Sequence, residues 1–315
     1  MRNAFAAAVT ELAGVDQRVV LLAGDIGNRL FDGFKEKHPD RFYNCGVAEA
    51  NMTSMAAGMA LCGLRPFTYT ITPFATTRAI EQIRLDVCYH NVPVTIVGTG
   101  SGLSYASLGP THHSLEDVAI LRAFPNLTIL CPADVAEVRE AVKAVLGLEG
   151  PAYIRLGKKG EPVIHATRPD FVIGRGIVLQ EGSDVCILGM GNAVTIAVEA
   201  AKLLAAERLS ARVVSMHTVK PLDEELLADA WRRFPLIVVV EEHGRIGGLG
   251  GAVAEWLARQ PSARARLLAF GTPDAFLSES GSQSHARRCC GLTPQAIAAR
   301  IVETVGRGSP HNRHP

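Results

Sequence analysis

The sequence predicts an α/β fold made of two doubly wound domains. Three observations lead there. The chain has 315 residues, about two domains at roughly 100–200 residues each. Short, continuously apolar runs alternate with longer helix-period stretches. That is the pattern of parallel strands joined by crossover helices and covered on both faces. Finally, a segment rich in Gly and Pro near residues 157–169 divides this alternation into two series.

In the first series the apolar runs 19–23, 67–71, 92–97, 127–131 and 152–156 read as strands. Helical stretches fall between them at 3–12, 50–61, 78–89, 115–122 and 136–146. The break contains Gly157, Lys158, Lys159, Gly160, Pro162 and Pro169, so the chain leaves the pattern there. The second series has strands at 185–190, 212–216, 236–241 and 267–270, with helices at 193–206, 224–233, 252–259 and 294–305. The resulting division is a first domain at 1–168, a linker at 169–180, a second domain at 181–306 and a frayed tail at 307–315.

Composition narrows the class. Apolar residues make up 48% and charged residues 20%, with a mean hydropathy of +0.16. Such a chain buries a sizeable core, which excludes disorder as its main state. Lys+Arg is 32 against Asp+Glu 31. The balance, with no local basic stripe, gives no electrostatic case for nucleic acid. No apolar run reaches the ~18 residues of a membrane helix. The Ala-rich start is followed by Glu11 and reads as a helix rather than a signal peptide. Cys45, Cys62, Cys88, Cys131, Cys186, Cys289 and Cys290 are odd in number and form no C-x-x-C. A reduced, cytoplasmic protein is the expectation.

Two motifs carry chemistry. Gly46-Val47-Ala48-Glu49-Ala50-Asn51 opens a stretch, 50–61, without a single charge. A helix that is small and apolar all round is a buried helix, open to close helix–helix contact between subunits. Glu49 at its start sits where the helix dipole favours a carboxylate. It is either a catalytic carboxylate or a capping residue. The second motif is Gly109-Pro110-Thr111-His112-His113-Ser114, which follows a predicted strand and a Gly/Ser-rich stretch. Loops after parallel strands are where α/β sheets bind ligands, and a His there can move protons. The alternative is a His satisfied by backbone. His112 and His113 lack the helical i, i+4 spacing of metal-binding pairs, so no metal ligand is assigned.

Phe74 follows Pro73 at a strand's carboxyl end, as a stacking surface or as plain core. Arg155 ends an apolar strand, suited to an anion or to a buried ion pair. Gly189-Met190-Gly191 is followed by Val194 where a dinucleotide site has its third glycine. The run Gly247-Gly248-Leu249-Gly250-Gly251 reads as close packing. Neither a P-loop nor a G-x-S-x-G elbow occurs.

Taken in order, these motifs resemble the transketolase-like, thiamine-diphosphate-dependent enzymes. The likeness spans roughly residues 2–305. It covers their pyrimidine-binding domain and then a transketolase C-terminal-type α/β domain, with Val238-Val239-Val240-Glu241-Glu242-His243 similar to the start of the latter. The resemblance implies that Glu49 hydrogen-bonds N1′ of the aminopyrimidine, and that Phe74 stacks on that ring. It also implies a cofactor contact for Arg78. His112 is implied near the reacting carbons, and Arg2, Arg155 and His113 at the substrate or its phosphate.

The family's diphosphate and Mg2+ sit on a Gly-Asp-Gly…Asn motif. Here Gly24-Asp25 is followed by Ile26, and no Gly-Asp-Gly occurs. The implied role is the C-terminal (beta) subunit of a split transketolase. A separate N-terminal subunit would carry that motif, in an α2β2 heterotetramer in which this chain homodimerises. It would move a two-carbon ketol group from a ketose to an aldose. The neighbouring readings are a beta subunit of a 2-oxo acid dehydrogenase, a deoxyxylulose-phosphate-synthase-like enzyme, and a non-catalytic assembly subunit. Two positions depart from the family. Leu108 stands where an Asp contacts a sugar hydroxyl, and Gly100 where a His contacts phosphate. The substrate is therefore expected to be unusual.

Overall fold

Val19-Val20-Leu21-Leu22-Ala23 has no polar face, and all five residues are buried inside a sheet. The computed structural model describes residues 1–27, 29–158, 160–261 and 265–306. Lys159 and the expected tail at 307–315 lie outside the described residues.

The first half runs α1 (Arg2–Val15), β1 (Val19–Ala23), α2 (Asp32–Lys37), β2 (Phe42–Asn44), α3 (Glu49–Leu61), β3 (Arg65–Ile71) and α4 (Thr72–Ala75). It continues with α5 (Ile80–Gln82), a π-helix at Ile83–Tyr89, β4 (Thr95–Thr99), α6 (Asp117–Arg122), β5 (Thr128–Leu130), α7 (Val135–Ala144) and β6 (Ala152–Leu156). The second half runs β7 (Ile177–Gln180), β8 (Val185–Met190), α8 (Val194–Ala206), β9 (Ala211–Ser215), β10 (Thr218–Lys220) and α9 (Glu224–Arg233). It ends with β11 (Leu236–Gly244), α10 (Leu249–Ala258), β12 (Arg266–Thr272), α11 (Gln283–Cys289) and α12 (Pro294–Gly306).

Two mostly parallel sheets result. The seven-stranded sheet has the order β10-β5-β6-β4-β3-β1-β2, and the five-stranded sheet β12-β11-β8-β9-β7. Among the described strands, β10 against β5 and β7 against β9 pair antiparallel, and the remaining strand pairs are parallel. Core clusters flank both sheets. No helix among the described residues is long and apolar enough to cross a membrane.

The structure departs from the sequence reading in four places. β7 occupies the last four residues of the expected linker. β10 leaves the second half to extend the first sheet, so the two halves share one sheet. The expected helix 78–89 is instead α5 running into a π-helix. The charge-free helix α3 is not buried all round. Met52, Ala56, Ala57 and Ala60 are buried, while Met55 and Leu61 on its other side are exposed. All seven cysteines are free, and Cys88, Cys131 and Cys186 are buried. Burial pushes the Cys88 and Cys186 thiols up to about 11 and about 12, leaving them protonated and inert near neutral pH.

One buried polar group organises the junction of the halves. Asp117 begins α6 and Arg155 lies in β6, with both side chains 1% exposed. Arg155 Nε donates to Asp117 Oδ2 at 2.8 Å and its Nη2 to Oδ1 at 3.2 Å. The Tyr153 hydroxyl adds a bond to Asp117 Oδ2 at 2.6 Å. Burial pushes Asp117 up, but the Arg155 and His243 charges and the bonds from Arg155 and Tyr153 hold it below the usual carboxylate value. Removing one partner of such a pair strands the other charge, at about 3–5 kcal/mol. Asp117→Ala should lower the chain's unfolding free energy by about that much in a urea titration. Replacing both, Asp117→Leu with Arg155→Met, should cost less than either single change. A double variant as unstable as the sum of the singles would show that the two side chains are not energetically coupled, and would overturn this reading.

Candidate active site

Strands β6, β4, β3, β1 and β2 are neighbours and parallel, so their carboxyl ends share one edge. This is where open α/β sheets bind ligands. β2 leads to Glu49, β3 to Phe74 and Arg78, β4 to the loop bearing His112 and His113, and β6 to Lys158. Topology alone therefore gathers residues more than a hundred positions apart.

Glu49 is the first residue of α3 and only 2% exposed. Gly24, just past β1, makes room beside it. A Cβ there would lie 3.2 Å from the Thr70 side chain and 3.6 Å from Glu49 Cγ. Both Glu49 oxygens accept from Arg78 Nη1, at 2.9 and 3.0 Å. The same guanidinium lies over the Phe74 ring, 3.9 Å from its centroid. Phe74 then meets the His112 ring edge-on, with centroids 5.3 Å apart. Glu49, Arg78, Phe74 and His112 thus form one continuous cluster.

The adjacent histidines face differently. His112 Nδ1 lies 2.9 Å from Thr111 Oγ1. His113 is buried, and its Nε2 has no hydrogen-bond partner. It lines a cavity of about 490 Å3 with Phe74, Arg78 and Pro110. A buried imidazole with an unpaired nitrogen is costly unless a ligand or water completes it.

Arg2, at the start of α1, lies near enough to Tyr105 for its charge to lower the pKa of that hydroxyl. It lines a separate cavity of about 720 Å3 with Arg29 and Lys37. The Tyr105 and His112 ring centroids are in turn 6.2 Å apart.

Arg155 is a correction. The anion-binding role expected of it does not fit its position. It is 2% exposed, and its Nε and Nη2 are committed to Asp117, the Ser114 carbonyl and the Glu242 carbonyl. The cation that does face the site from β6 is Lys158, with its ammonium 4.5 Å from the Tyr105 ring centroid. Sequence reasoning saw Lys158 only as part of a linker.

Tyr105 was also missed. Gly100 has φ +76° and a Cβ there would lie 1.8 Å from the Tyr105 ring, so Gly100 exists to admit that ring. Burial pushes the Tyr105 hydroxyl up, against the lowering effect of Arg2. Leu108 closes the same turn and is exposed.

The second half supports this loop. Glu242, in β11, accepts from Leu103 N at 2.7 Å and from Gln283 Nε2 at 2.8 Å, and pairs with Arg287. Its neighbour Glu241 accepts from Leu249 N and Gly250 N at 2.8 and 2.9 Å, filling the N-terminus of α10 from within. A Cβ on Gly248 would sit 2.1 Å from that carboxylate. The glycine run therefore serves close packing, as its sequence context suggests.

Both halves of the chain match known domains. Residues 1–161 match the transketolase pyrimidine-binding domain, and residues 174–297 the transketolase C-terminal domain. A putative transketolase C-terminal section of Methanocaldococcus jannaschii is 36% identical, over 97% of this chain and 96% of its own length. The 6-deoxy-6-sulfo-D-fructose transketolase subunit SqwH of Clostridium sp. strain MSTE9 is also 36% identical, over 98% of this chain and 95% of its own. A solved structure titled as a split gene transketolase, inactive beta4 tetramer, superposes with a TM-score of 0.88 at 37% identity, covering 97% of both chains. The chain belongs to the transketolase family, whose members depend on thiamine diphosphate, and carries that family's pyrimidine-binding and C-terminal domains.

Proposed function

We propose that this chain is the beta subunit of a two-chain transketolase, and that it supplies the seat for the aminopyrimidine and the proton-moving histidine. The Glu49–Arg78–Phe74–His112 cluster carries this reading. Arg78 tests the fit from within the chain. It presents a flat group that donates to Glu49 and lies on Phe74. An aminopyrimidine is also flat: its face would rest on Phe74, and its ring nitrogen would share a proton with Glu49. Bound thiamine diphosphate would supply a carbon nucleophile able to carry a two-carbon ketol unit between sugars.

The chain's own residues divide the remaining work. Glu49 holds a proton at the ring nitrogen it faces, from a buried helix start where the dipole favours its charge. Phe74 supports the ring face. Arg78 is 44% exposed, so its own charge stays hydrated if it leaves Glu49, but the 2% exposed carboxylate must then be satisfied by the incoming ring. His112 moves protons on the substrate hydroxyl. Lys158 and Arg2 place positive charge at the Tyr105 end, where an anionic sugar substituent would be met.

Diphosphate and Mg2+ are assigned to a separate N-terminal subunit, because this sequence contains no Gly-Asp-Gly. Relatives named as transketolase subunits support that division. The inactive beta4 assembly of the solved neighbour does so too. The exposed side of α3 with Leu85 and Tyr89 of the π-helix offers the apolar face for pairing two copies within α2β2.

Purified alone, the chain should show no ketol transfer. With its partner, it should consume hydroxypyruvate or xylulose 5-phosphate in the presence of an aldose and leave pyruvate untouched. Turnover of pyruvate alone would point instead to a 2-oxo acid dehydrogenase. In the reconstituted complex, Glu49→Ala should lower kcat by several orders of magnitude while size-exclusion shows the assembly intact. Unchanged activity would make the chain an assembly subunit. His112→Ala should cost about 10²–10⁴ in kcat, the usual worth of a positioned acid–base group, with cofactor affinity nearly unchanged. The reverse pattern, affinity lost and kcat kept, would move His112 away from the chemistry.

A further inference from the structure

A second cluster lies outside the site just described. α11 places His285 and Cys289 one turn apart, so both side chains lie on one face. Glu279, in the loop before the helix, reaches the same point. Cys289 Sγ is 3.5 Å from His285 Nε2 and 3.7 Å from Glu279 Oε2. His285 Nε2 is 2.8 Å from Glu279 Oε2. Gly281 permits this, because a Cβ there would press on the His285 ring at 2.8 Å. Ser282 caps α11 by accepting from His285 N at 3.2 Å.

We propose that Glu279, His285 and Cys289 form a three-ligand site for a divalent transition metal, with zinc the best match. The ligand set is one thiolate, one imidazole and one carboxylate. Imidazole and thiolate suit zinc and are poor ligands for Mg2+ or Ca2+. The edges fit as well. A tetrahedral zinc bound to sulfur at about 2.3 Å, to nitrogen at about 2.0–2.1 Å and to oxygen at about 2.0–2.2 Å needs S···N and S···O edges of about 3.6 Å and an N···O edge of about 3.4 Å. Both edges to sulfur already meet this. Only the His285–Glu279 hydrogen bond must open, by about half an ångström, as the metal replaces the shared proton.

Binding would release the Cys289 thiol proton to solvent, leave the His285 imidazole neutral with its proton on Nδ1, and leave a fourth position for water. The site also has a definite neighbour. Ser280, beside Glu279, donates to the Ser107 carbonyl at 3.2 Å. A metal here would therefore pin the loop before α11 against the turn that carries Tyr105 and Leu108.

The full chain, stripped with a chelator, should be titrated with Co2+ as a spectroscopic probe. A thiolate-to-cobalt charge-transfer band should saturate at one equivalent and disappear on adding Zn2+. Cys289→Ser should abolish the band. His285→Ala should weaken Zn2+ binding by about tenfold or more. Cys62→Ser, at another exposed cysteine, should change neither. The three side chains are at the surface, so the metal-free variants should unfold at the parent's temperature. A band that survives Cys289→Ser, or a wild-type chain that takes up no Zn2+ at micromolar concentration, would overturn the proposal.

Discussion

The Asp117–Arg155 pair is the constraint on which the site depends. It is fully buried, and it bonds on both sides of the junction. From β6, Arg155 reaches the Ser114 carbonyl at the end of the histidine loop and the Glu242 carbonyl in the second half. Asp117 receives Tyr153 from the sheet and lies 3.9 Å from His243 Nε2. A buried pair of this kind adds little net stability compared with apolar packing, but it tolerates few alternative geometries. Its value here is positional. It fixes Ser114, and so the loop that carries His112 and His113, relative to both sheets at once.

Glu49 poses the opposite problem. Its carboxylate is shielded, and a shielded carboxylate without a partner is costly. Arg78 resolves this within the chain, since its head satisfies both Glu49 oxygens and rests on Phe74. The arginine is itself half in solvent, so the pair is not locked as Asp117–Arg155 is. The two ion pairs are built alike and serve different ends. The first is buried on both sides and rigid. The second is buried on one side only, and its other member remains in contact with solvent.

Long elements were legible in the sequence because burial on both faces writes itself as an unbroken apolar run. β1, β6 and β8 coincide with such runs. Short edge strands leave no such trace. β2 and β7 are half exposed, and β10 has only three residues, placed by contacts with the other half. The same holds at the site. Glu49, Phe74, Arg78 and His112 sit in ordered motifs, and the sheet brings them together. Arg155 was misassigned because a charge ending an apolar strand reads the same whether it faces a ligand or a buried Asp, and Asp117 is 38 residues away. Lys158 and Tyr105 were missed because nothing local ties them to β4. Only the fold sets Lys158 over the Tyr105 ring.

The departures at Gly100 and Leu108 then acquire a physical meaning. The residue expected to bring an imidazole is a glycine, and the freed volume is filled by Tyr105. The residue expected to bring a carboxylate is an exposed Leu108. Two polar contacts are therefore gone, and a phenol, an ammonium and a guanidinium stand nearby instead. A site that loses an acceptor and keeps its cations no longer rewards a substrate hydroxyl at that point, yet still rewards negative charge. On the proposed function, such a pocket would favour a sugar whose anionic end lies beside Tyr105. It is Gly100 that lets the fold seat the Tyr105 ring at that point.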